Sequence, residues 1–448
     1  MNKIPLTPAR AIANWRSKGG MLLIVFFLCN FASGQGNSWS LTKCMDMALQ
    51  NNIEIKIRQL EIKRTDQLQN SVLNRMLPTV NLYGNQGYIF GSTIDPATNA
   101  RVSSNFQNDN FYLNARTNLI DFNGYSNAKK DKINIELAKA EKEVIENEYK
   151  LQILESFYQT LYTQELLKIQ KEQFKQATFN LDRVTKEVSI GSKPQSDLYD
   201  MQLSFSEEEN RNLETEQLYA IKKTQLFQLM NVMDSITDEV SLESYFNKSK
   251  TDDLENSLHN PKIKLAELHY QSSLKSIGLE RANNLPILSA YYGFSTFYSK
   301  TLSQSNTNTA PFFNQLEANK SQQIGMQLDV PIFNGLRNNK KIDASKIESE
   351  KKKLGIEQEK QQLDKQVLLE EQKKKNYLQL QHKLIEKQTY AKASLATTQA
   401  KFTSGKIEAI VYSAVKNQFL SAEYEVLKNS LQLQYIDLRI NLLKKDSL

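Results

Sequence analysis

Two segments of the chain alternate apolar and polar residues one by one, which is the pattern of a β-strand with two unlike faces. The apolar positions of the first segment, residues 109–121, are Phe111, Leu113, Ala115, Thr117 and Leu119. Its polar positions are Tyr112, Asn114, Arg116 and Asn118. The apolar positions of the second segment are Ile324, Met326, Leu328 and Val330. Segments rich in Tyr and Phe near 78–90 and 286–298 are the predicted partner strands, so the chain offers four strands.

Two environments would produce this alternation. A transmembrane barrel strand has lipid on its apolar face and water on its polar face, and its aromatic residues form girdles at the interfaces. A soluble sheet packed on helices has the same pattern, so the strands alone leave both interpretations open. The loops 91–108 and 299–320 are rich in Asn, Ser, Thr and Gln, which suits the outward loops of a barrel.

Long helical segments follow each strand pair. From residue 137 the apolar side chains recur at alternating steps of three and four residues. They are Leu137, Ala140, Val144, Leu151, Leu154, Tyr158 and Leu161, with Asn147 in the remaining slot. This 3.5-residue period predicts a supercoiled seam between helices. The matching stretch from Lys340 to Lys375 is rich in Lys and Glu, and we predict a solvated face with ion pairs along the helix.

Glycine and proline are scarce, with 15 and 9 among the 448 residues. Because tight turns need these residues, the chain is expected to have few turns and long elements. Neither occurs from Tyr125 to Ile190 or from Ile356 to Ser404. A helix of about 65 residues would be roughly 100 Å long, which indicates a coiled coil rather than a compact globular domain.

Gly191 and Gly405 interrupt the long helical segments and are the predicted tips of two helical hairpins. A glycine just after a helix can take the left-handed conformation that ends it. Ser192 and Gln195 then fit a capping box for the helix that follows the first tip.

The landmarks of the chain occur twice in the same order. They are Pro78, Gly124 and Gly191 in the first copy and Pro286, Gly335 and Gly405 in the second. The first glycine follows the proline by 46 and 49 residues, and the tip glycine follows by a further 67 and 70. This spacing predicts an internal duplication. Each copy then has the order helix, strand, loop, strand, long helix, turn, long helix.

The N-terminus has the features of a secretory signal. A basic region extends to Lys18, an apolar run spans 21–28, and small residues precede a predicted cleavage site before Gln35. An uncleaved membrane anchor is the alternative, although the apolar run is shorter than the ~20 residues of a spanning helix. After cleavage one cysteine remains, Cys44, which we expect to pack as a small apolar residue.

The net charge of +7 belongs largely to this N-terminal segment. Four basic residues and no acidic residue precede residue 35, which leaves +3 for the rest of the chain. The charge therefore gives no case for nucleic acid as a partner.

Four strands cannot form a closed sheet in lipid, where open edges are not tolerated, and bacterial membrane barrels have at least about eight strands. Several chains must therefore share one barrel. Three chains supply twelve strands, which is wide enough for an open lumen.

The order of elements resembles that of the TolC-type outer-membrane efflux protein family, over nearly the whole mature chain. The segments that carry the resemblance are Ser40–Asn52, Asn260-Pro261, the Leu-Pro pairs at 77–78 and 285–286, the Phe-Asn-Gly triplets at 122–124 and 333–335, and Gly191 and Gly405. No single motif is specific, whereas the duplicated order is.

The resemblance implies a mainly α fold with a β-barrel portion, in which a homotrimer forms a 12-stranded outer-membrane barrel and an α-helical periplasmic tunnel. It implies a passive conduit in the outer membrane of a Gram-negative type of cell. Family members dock to a periplasmic adaptor protein and an inner-membrane transporter in tripartite efflux or type I secretion. They are not enzymes, and no cofactor is implied.

The expected boundaries follow from the landmarks. They are a signal peptide at 1–34, a first repeat at 35–230 with strands at about 78–121 and a hairpin at about 122–230, a connector in the equatorial belt at 231–259, and a second repeat at 260–448 with strands at about 286–333 and a hairpin at about 334–445.

In this family, acidic residues six and nine positions after the tip glycine constrict the tunnel entrance. The first copy has Asp197 and Asp200 at these positions, whereas the second copy has Val411 and Ala414. An acidic ring would therefore come from the first copy alone. The alternative is that both carboxylates complement the N-terminal end of the helix dipole.

Lys193 and Lys406 at the tips are candidate adaptor contacts, with solvated lysines as the alternative. No catalytic or metal-binding motif accompanies them, because the three histidines are far apart in sequence and no Cys pair or phosphate-binding Gly loop occurs. The competing function is a periplasmic coiled-coil adaptor or interaction protein without a barrel of its own.

Overall fold

The computed structural model describes residues 38–94, 99–103, 105–232, 240–243, 260–302 and 310–446. The predicted signal peptide at 1–34 and most of the predicted connector at 231–259 lie outside these residues. The described helices are α1 Leu41–Asn51, α2 Ile53–Leu68, α3 Val72–Arg75, α4 Phe122–Ser189, α5 Gln195–Leu229, α6 Pro261–Ala282, α7 Phe312–Ala318, α8 Arg337–Thr403 and α9 Ala409–Lys445. The described strands are β1 Ser38–Trp39, β2 Thr79–Ile89, β3 Ser92–Ile94, β4 Arg101–Ser103, β5 Phe106–Asp121, β6 Ser241–Leu242, β7 Ile287–Thr301 and β8 Ser321–Asp329.

Two compact units share these elements. The tip unit comprises the described residues of Met1–Ala48, Glu155–Ser249 and Lys387–Lys428. The sheet unit comprises those of Leu49–Leu154, Lys250–Glu386 and Asn429–Leu448.

The seven-residue seam predicted for α4 is confirmed by burial. Ala140, Asn147, Leu154 and Leu161 follow one another at intervals of seven, and none is more than 2% exposed. The buried amide of Asn147 in this seam is hydrogen-bonded, because its Nδ2 donates to the carbonyl of Leu442 at 3.0 Å. A buried amide of this kind is tolerated only when it is hydrogen-bonded.

The Asn260-Pro261 motif joins the ends of two helices in the sheet unit. Asn260 is 3% exposed, and its Oδ1 accepts from the Lys262 amide at 2.8 Å, which caps the N-terminus of α6. Its Nδ2 donates to the carbonyl of Leu443 at 2.9 Å, near the end of α9. One side chain therefore satisfies backbone groups at both helix ends.

The Lys- and Glu-rich part of α8 is solvated, as predicted. Most side chains between 340 and 375 are exposed. Their charges pair along the helix, with Lys346 to Asp343 at 2.9 Å and Lys352 to Glu348 at 3.5 Å.

The N-terminal strand of the tip unit, β1, pairs in parallel with the short strand β6. Trp39 in β1 lies opposite Leu242 in β6, and its ring is 5.1 Å from the ring of Phe227. The Gln164 side chain makes two hydrogen bonds to the backbone of β6. Its Nε2 donates to the Leu242 carbonyl at 2.9 Å, and its Oε1 accepts from the Leu242 amide at 2.8 Å.

The sheet unit contains an antiparallel sheet of four strands in the order β2-β5-β7-β8. The segments predicted only as loops contain further elements. The hairpin β3-β4 lies within 91–108, and the helix α7 lies within 299–320. Neither element is predicted by the sequence pattern.

Candidate functional site

The two hairpin tips turn in the same way. Gly191 has φ +73° and Gly405 has φ +72°, a conformation that favours glycine. In each tip the residue after the glycine donates its amide to the carbonyl five residues earlier, Ser192 to Glu187 and Lys406 to Lys401, both at 2.9 Å. This is the 6→1 bond of a Schellman motif, so each long helix ends at its glycine.

The capping box predicted from Ser192 and Gln195 is wrong. The residue that precedes α5 is Pro194, which makes no side-chain capping bond. The proline fixes φ near the value needed at a helix start, and it places the serine too early in the chain to cap the helix.

Asp197, in the first turn of α5, is buried and paired. Its Oδ2 is 3.0 Å from Lys193 Nζ, and both side chains are 8% exposed. The same ammonium lies 4.3 Å from the centre of the Phe402 ring in the second hairpin. Because a cation is attracted to an aromatic face, Lys193 joins the two tips.

A small apolar core surrounds this contact. The rings of Phe402 and Tyr412 stack with their centres 4.7 Å apart, and the Arg183 guanidinium lies 4.7 Å from the centre of the Phe402 ring. Asn180 Nδ2 donates to Tyr412 Oη at 3.3 Å, and burial raises the pKa of that phenol. The other buried members of the core are Val184, Met201 and Ala409.

The remaining predicted tip residues are more accessible. Asp200 is half-buried and takes part in no ion pair among the described residues, whereas Lys406, Val411 and Ala414 are exposed. A groove of ≈ 400 Å³ lies between the two tips. Its charged lining residues are Glu187, Lys193, Asp197, Lys406 and Glu408.

A buried ion pair, which the sequence analysis missed, links the second helices of the two hairpins. Glu208 Oε1 in α5 is 3.2 Å from Lys416 Nζ in α9, and the two side chains are 2% and 5% exposed. Arg211 Nη1 lies 3.6 Å from the same carboxylate oxygen and donates to Asn417 Oδ1 at 3.1 Å. Burial and the nearby Glu208 raise the pKa of Tyr424, so its phenol stays neutral.

The register of the sheet sorts its side chains into two faces, because residues directly opposite in neighbouring strands share a face. The apolar face holds Val80, Leu82, Phe111, Leu113, Ala115, Ala290, Tyr292, Phe294, Ile324, Met326 and Leu328. The polar face holds Asn81, Asn85, Asn114, Arg116, Ser289, Ser295, Gln323 and Gln327, together with aromatic residues such as Tyr112 and Tyr291.

Helix α7 contacts the apolar face at Phe111 and Thr296, but side chains elsewhere on this face are open to solvent in the single chain. Ile324 is 84% exposed, Met326 72% and Leu82 73%. A contiguous apolar surface of this kind marks an interaction with lipid or protein. The alternative of a soluble sheet packed on helices is therefore not supported.

The predicted alternation fails at one position. The register between β5 and β7 shifts between Asn118 and Ile120, so Ile120 rather than Leu119 pairs with Leu288. A bulge of this kind inserts one residue and reverses the alternation beyond it.

The height of the apolar face fits a membrane. Phe111 and Ile120 are nine residues apart, which is roughly 30 Å along a strand at ~3.3 Å per residue. A strand tilt of about 40° reduces this to roughly 23 Å, close to the ~25 Å apolar band of outer-membrane barrels.

The described residues contain no group of three or more His, Cys, Asp or Glu side chains placed to bind a metal ion. None of the described helices combines the length and apolar character needed to cross a membrane.

Several solved structures have the same fold. The outer membrane protein VceC of Vibrio cholerae is 11% identical, with a TM-score of 0.73 over 90% of this chain and 94% of that chain. The CmeC outer membrane channel of Campylobacter jejuni is 12% identical, with a TM-score of 0.73 over 98% and 93%. The MtrE outer membrane channel of Neisseria gonorrhoeae, in its open state, is 16% identical, with a TM-score of 0.67 over 90% and 88%.

Comparison with curated proteins gives no match. The family model described as outer membrane efflux protein matches the chain twice, at residues 44–232 and at 255–443. The two matches confirm the duplication and together cover most of the chain. The chain therefore belongs to the outer membrane efflux protein family, and it is a non-enzymatic, TolC-like efflux channel of the bacterial outer membrane with a helical periplasmic extension.

Proposed function

We propose that three copies of this chain close a single twelve-stranded barrel, and that the hairpin tips form its periplasmic entrance. The observation that carries the proposal is the sheet of four strands, in which β2 and β8 are the edge strands. Unpaired backbone groups at these edges are not tolerated in lipid.

The strand directions support closure between copies. All neighbours in the sheet are antiparallel, so β2 and β8 run in opposite directions. The β8 edge of one copy can therefore pair in antiparallel fashion with β2 of the next. Two copies would give eight strands, whose interior side chains fill, whereas twelve strands leave an open lumen.

The two carboxylates after the first tip have different roles in this proposal. Asp197 is paired with Lys193 and holds the tips together. Asp200 is half-buried and lies one turn further along α5. Threefold symmetry would bring three Asp200 carboxylates near one axis, where they would narrow the entrance.

The groove between the tips is the proposed docking site for a periplasmic adaptor, which would connect the channel to an inner-membrane transporter. Lys406 is exposed at this groove and is the proposed direct contact. Lys193 is engaged by Asp197 and Phe402, so we expect it to shape the groove rather than to bind the adaptor directly.

Oligomeric state and location test the barrel. Chemical cross-linking of intact cells should give trimers, and these trimers should fractionate with the outer membrane. A soluble monomer in the periplasm would contradict the proposal.

Single-channel recording tests the entrance. Asp200→Ala should raise the conductance, because it removes three carboxylates and their side-chain volume from the narrowest point. Asp182→Ala is the matched control, since Asp182 is an exposed acid of α4 whose side chain is 63% accessible. An unchanged conductance in Asp200→Ala would mean that this carboxylate only complements the N-terminal end of the helix dipole.

A further inference from the structure

Helix α7, between β7 and β8, is fixed to the outer end of the sheet. The strand ends that join the long helices face the periplasm, so the β7–β8 connection faces outward. β8 begins at Ser321, opposite Ser295, and leaves the last six residues of β7 without a strand partner on that side.

The side chains of α7 replace that missing partner. Gln315 Nε2 donates to the Ser299 carbonyl at 3.1 Å, and its Oε1 accepts from the Ser299 amide at 3.0 Å. Asn319 Nδ2 donates to the Phe297 carbonyl at 2.9 Å. Helix α7 therefore has a defined place on the sheet.

The helix lies on the apolar side of the sheet. Thr296, which shares a face with Phe111, donates its hydroxyl to the Leu316 carbonyl at 2.6 Å. The Phe312 ring is 6.4 Å from that of Phe111 and 5.0 Å from that of Tyr298. These contacts place α7 on the side that faces lipid in the closed barrel.

Helix α7 lies at the outward border of the apolar face, at the end away from the periplasm. Beyond the row of Phe111, towards that end, the same face carries Asp109 opposite Tyr298, and then Gln107 opposite Lys300. Because a carboxylate and an ammonium belong outside hydrocarbon, the headgroup region begins at these rows.

The outward surface of α7 is amphipathic. The residues turned towards the sheet are Phe312, Gln315, Leu316 and Asn319, all half-buried. On the opposite surface Phe313 is 79% exposed beside the exposed Asn314 and Glu317. An aromatic ring among polar residues is typical of a segment at the membrane interface.

From this geometry we infer that α7 is an interfacial anchor, which inserts Phe313 among the lipid headgroups of the outer leaflet. The inference rests on the proposed closure of the barrel, since closure makes the apolar face the lipid face. Lys300 in the uppermost row is exposed and suits lipid phosphate.

Tryptophan quenching in vesicles tests this anchor. Beyond the predicted signal peptide the chain has one tryptophan, Trp39, which is 4% exposed and gives a background measurable on the unmodified protein. The variant Phe313→Trp is reconstituted in phosphatidylcholine vesicles brominated either near the headgroup or near the chain end. We expect a larger loss of emission with bromine near the headgroup.

Two control variants separate this inference from the barrel itself. Ile324→Trp, in the middle of the apolar face, should be quenched most by bromine near the chain end. Ile190→Trp, at a tip and 78% exposed, should be quenched by aqueous iodide alone. If neither Phe313→Trp nor Ile324→Trp responds to brominated lipid, the barrel proposal fails together with the anchor.

Two results would overturn the anchor alone, with Ile324→Trp still quenched by lipid. Quenching of Phe313→Trp by iodide only would place α7 in water. Blue-shifted emission insensitive to both quenchers would place it against a neighbouring copy.

Discussion

At the scale of single residues, Cys44 illustrates how burial fixes the chemistry of a side chain. It is fully buried in α1, and this burial raises the pKa of its thiol to about 12, although the nearby Lys43 ammonium lowers it in part. The thiolate is the reactive form. The thiol is therefore protonated at neutral pH as well as inaccessible.

We expect Cys44 to resist alkylation in the native protein. Iodoacetamide at neutral pH should label Cys44 only after unfolding in guanidinium, as measured by the mass of the intact protein. Ser192→Cys, at an exposed turn, is the control and should be labelled at once. Rapid native labelling of Cys44 would contradict the assigned burial.

For Asn147 the sequence predicts burial but not the hydrogen-bond partner. Its position in the heptad seam is visible from the neighbouring apolar residues, and its burial follows from that seam. Its partner Leu442 is 295 residues away in the chain. No local pattern indicates such a contact, because it depends on how the two copies pack.

At the scale of elements, the pair of Glu208 and Lys416 ties α5 to α9. The sequence alone does not reveal this pair, because charged residues on a long helix are usually solvated. Once buried, each charge depends on the other, since removal of one partner leaves an uncompensated charge in an apolar environment.

Replacement of one partner should therefore be costly. Glu208→Gln is expected to destabilise the protein by about 3–5 kcal/mol, whereas the double variant Glu208→Met, Lys416→Met should recover most of this loss. Urea unfolding followed by circular dichroism measures both.

The exposed pair of Lys186 and Asp182 provides the comparison. Its side chains are 73% and 63% accessible, so Lys186→Met should cost no more than about 1 kcal/mol. Equal effects of Glu208→Gln and Lys186→Met would mean that the buried pair is solvated in the assembled protein.

The sequence predicted the elements whose apolar residues repeat regularly and whose ends carry a glycine or a proline. The hairpins and strands have both features, through their apolar repeats and through Gly191, Gly405, Pro78 and Pro286. Helix α7 has seven residues and lies in a segment rich in Asn and Ser. Its inward residues do follow helical spacing, but its stability comes from bonds to β7, which a local pattern does not contain.

At the scale of the whole molecule, the two faces of the sheet give opposite expectations for neighbouring positions. Ile324 lies in the middle row of the apolar face, opposite Tyr292, and Gln323 lies on the polar face. Ile324→Lys should cost roughly 2–4 kcal/mol, as for a lysine facing lipid at the midplane.

Gln323→Lys is the matched control and should be tolerated, because its ammonium would face the water-filled lumen. The yield of heat-resistant trimer in outer-membrane fractions measures both variants. If the two lysines were tolerated equally, the assignment of the apolar face to lipid would be wrong.

The pairing of β1 with β6 has a consequence for the timing of biogenesis. Ser38 donates its hydroxyl to Glu243, 205 residues later in the chain. At a synthesis rate of ~5–20 residues per second, the partner of the first strand emerges about 10–40 seconds after it. The leading end of the polypeptide around Trp39 therefore stays unpaired until the whole first hairpin, α4 and α5, has been synthesised.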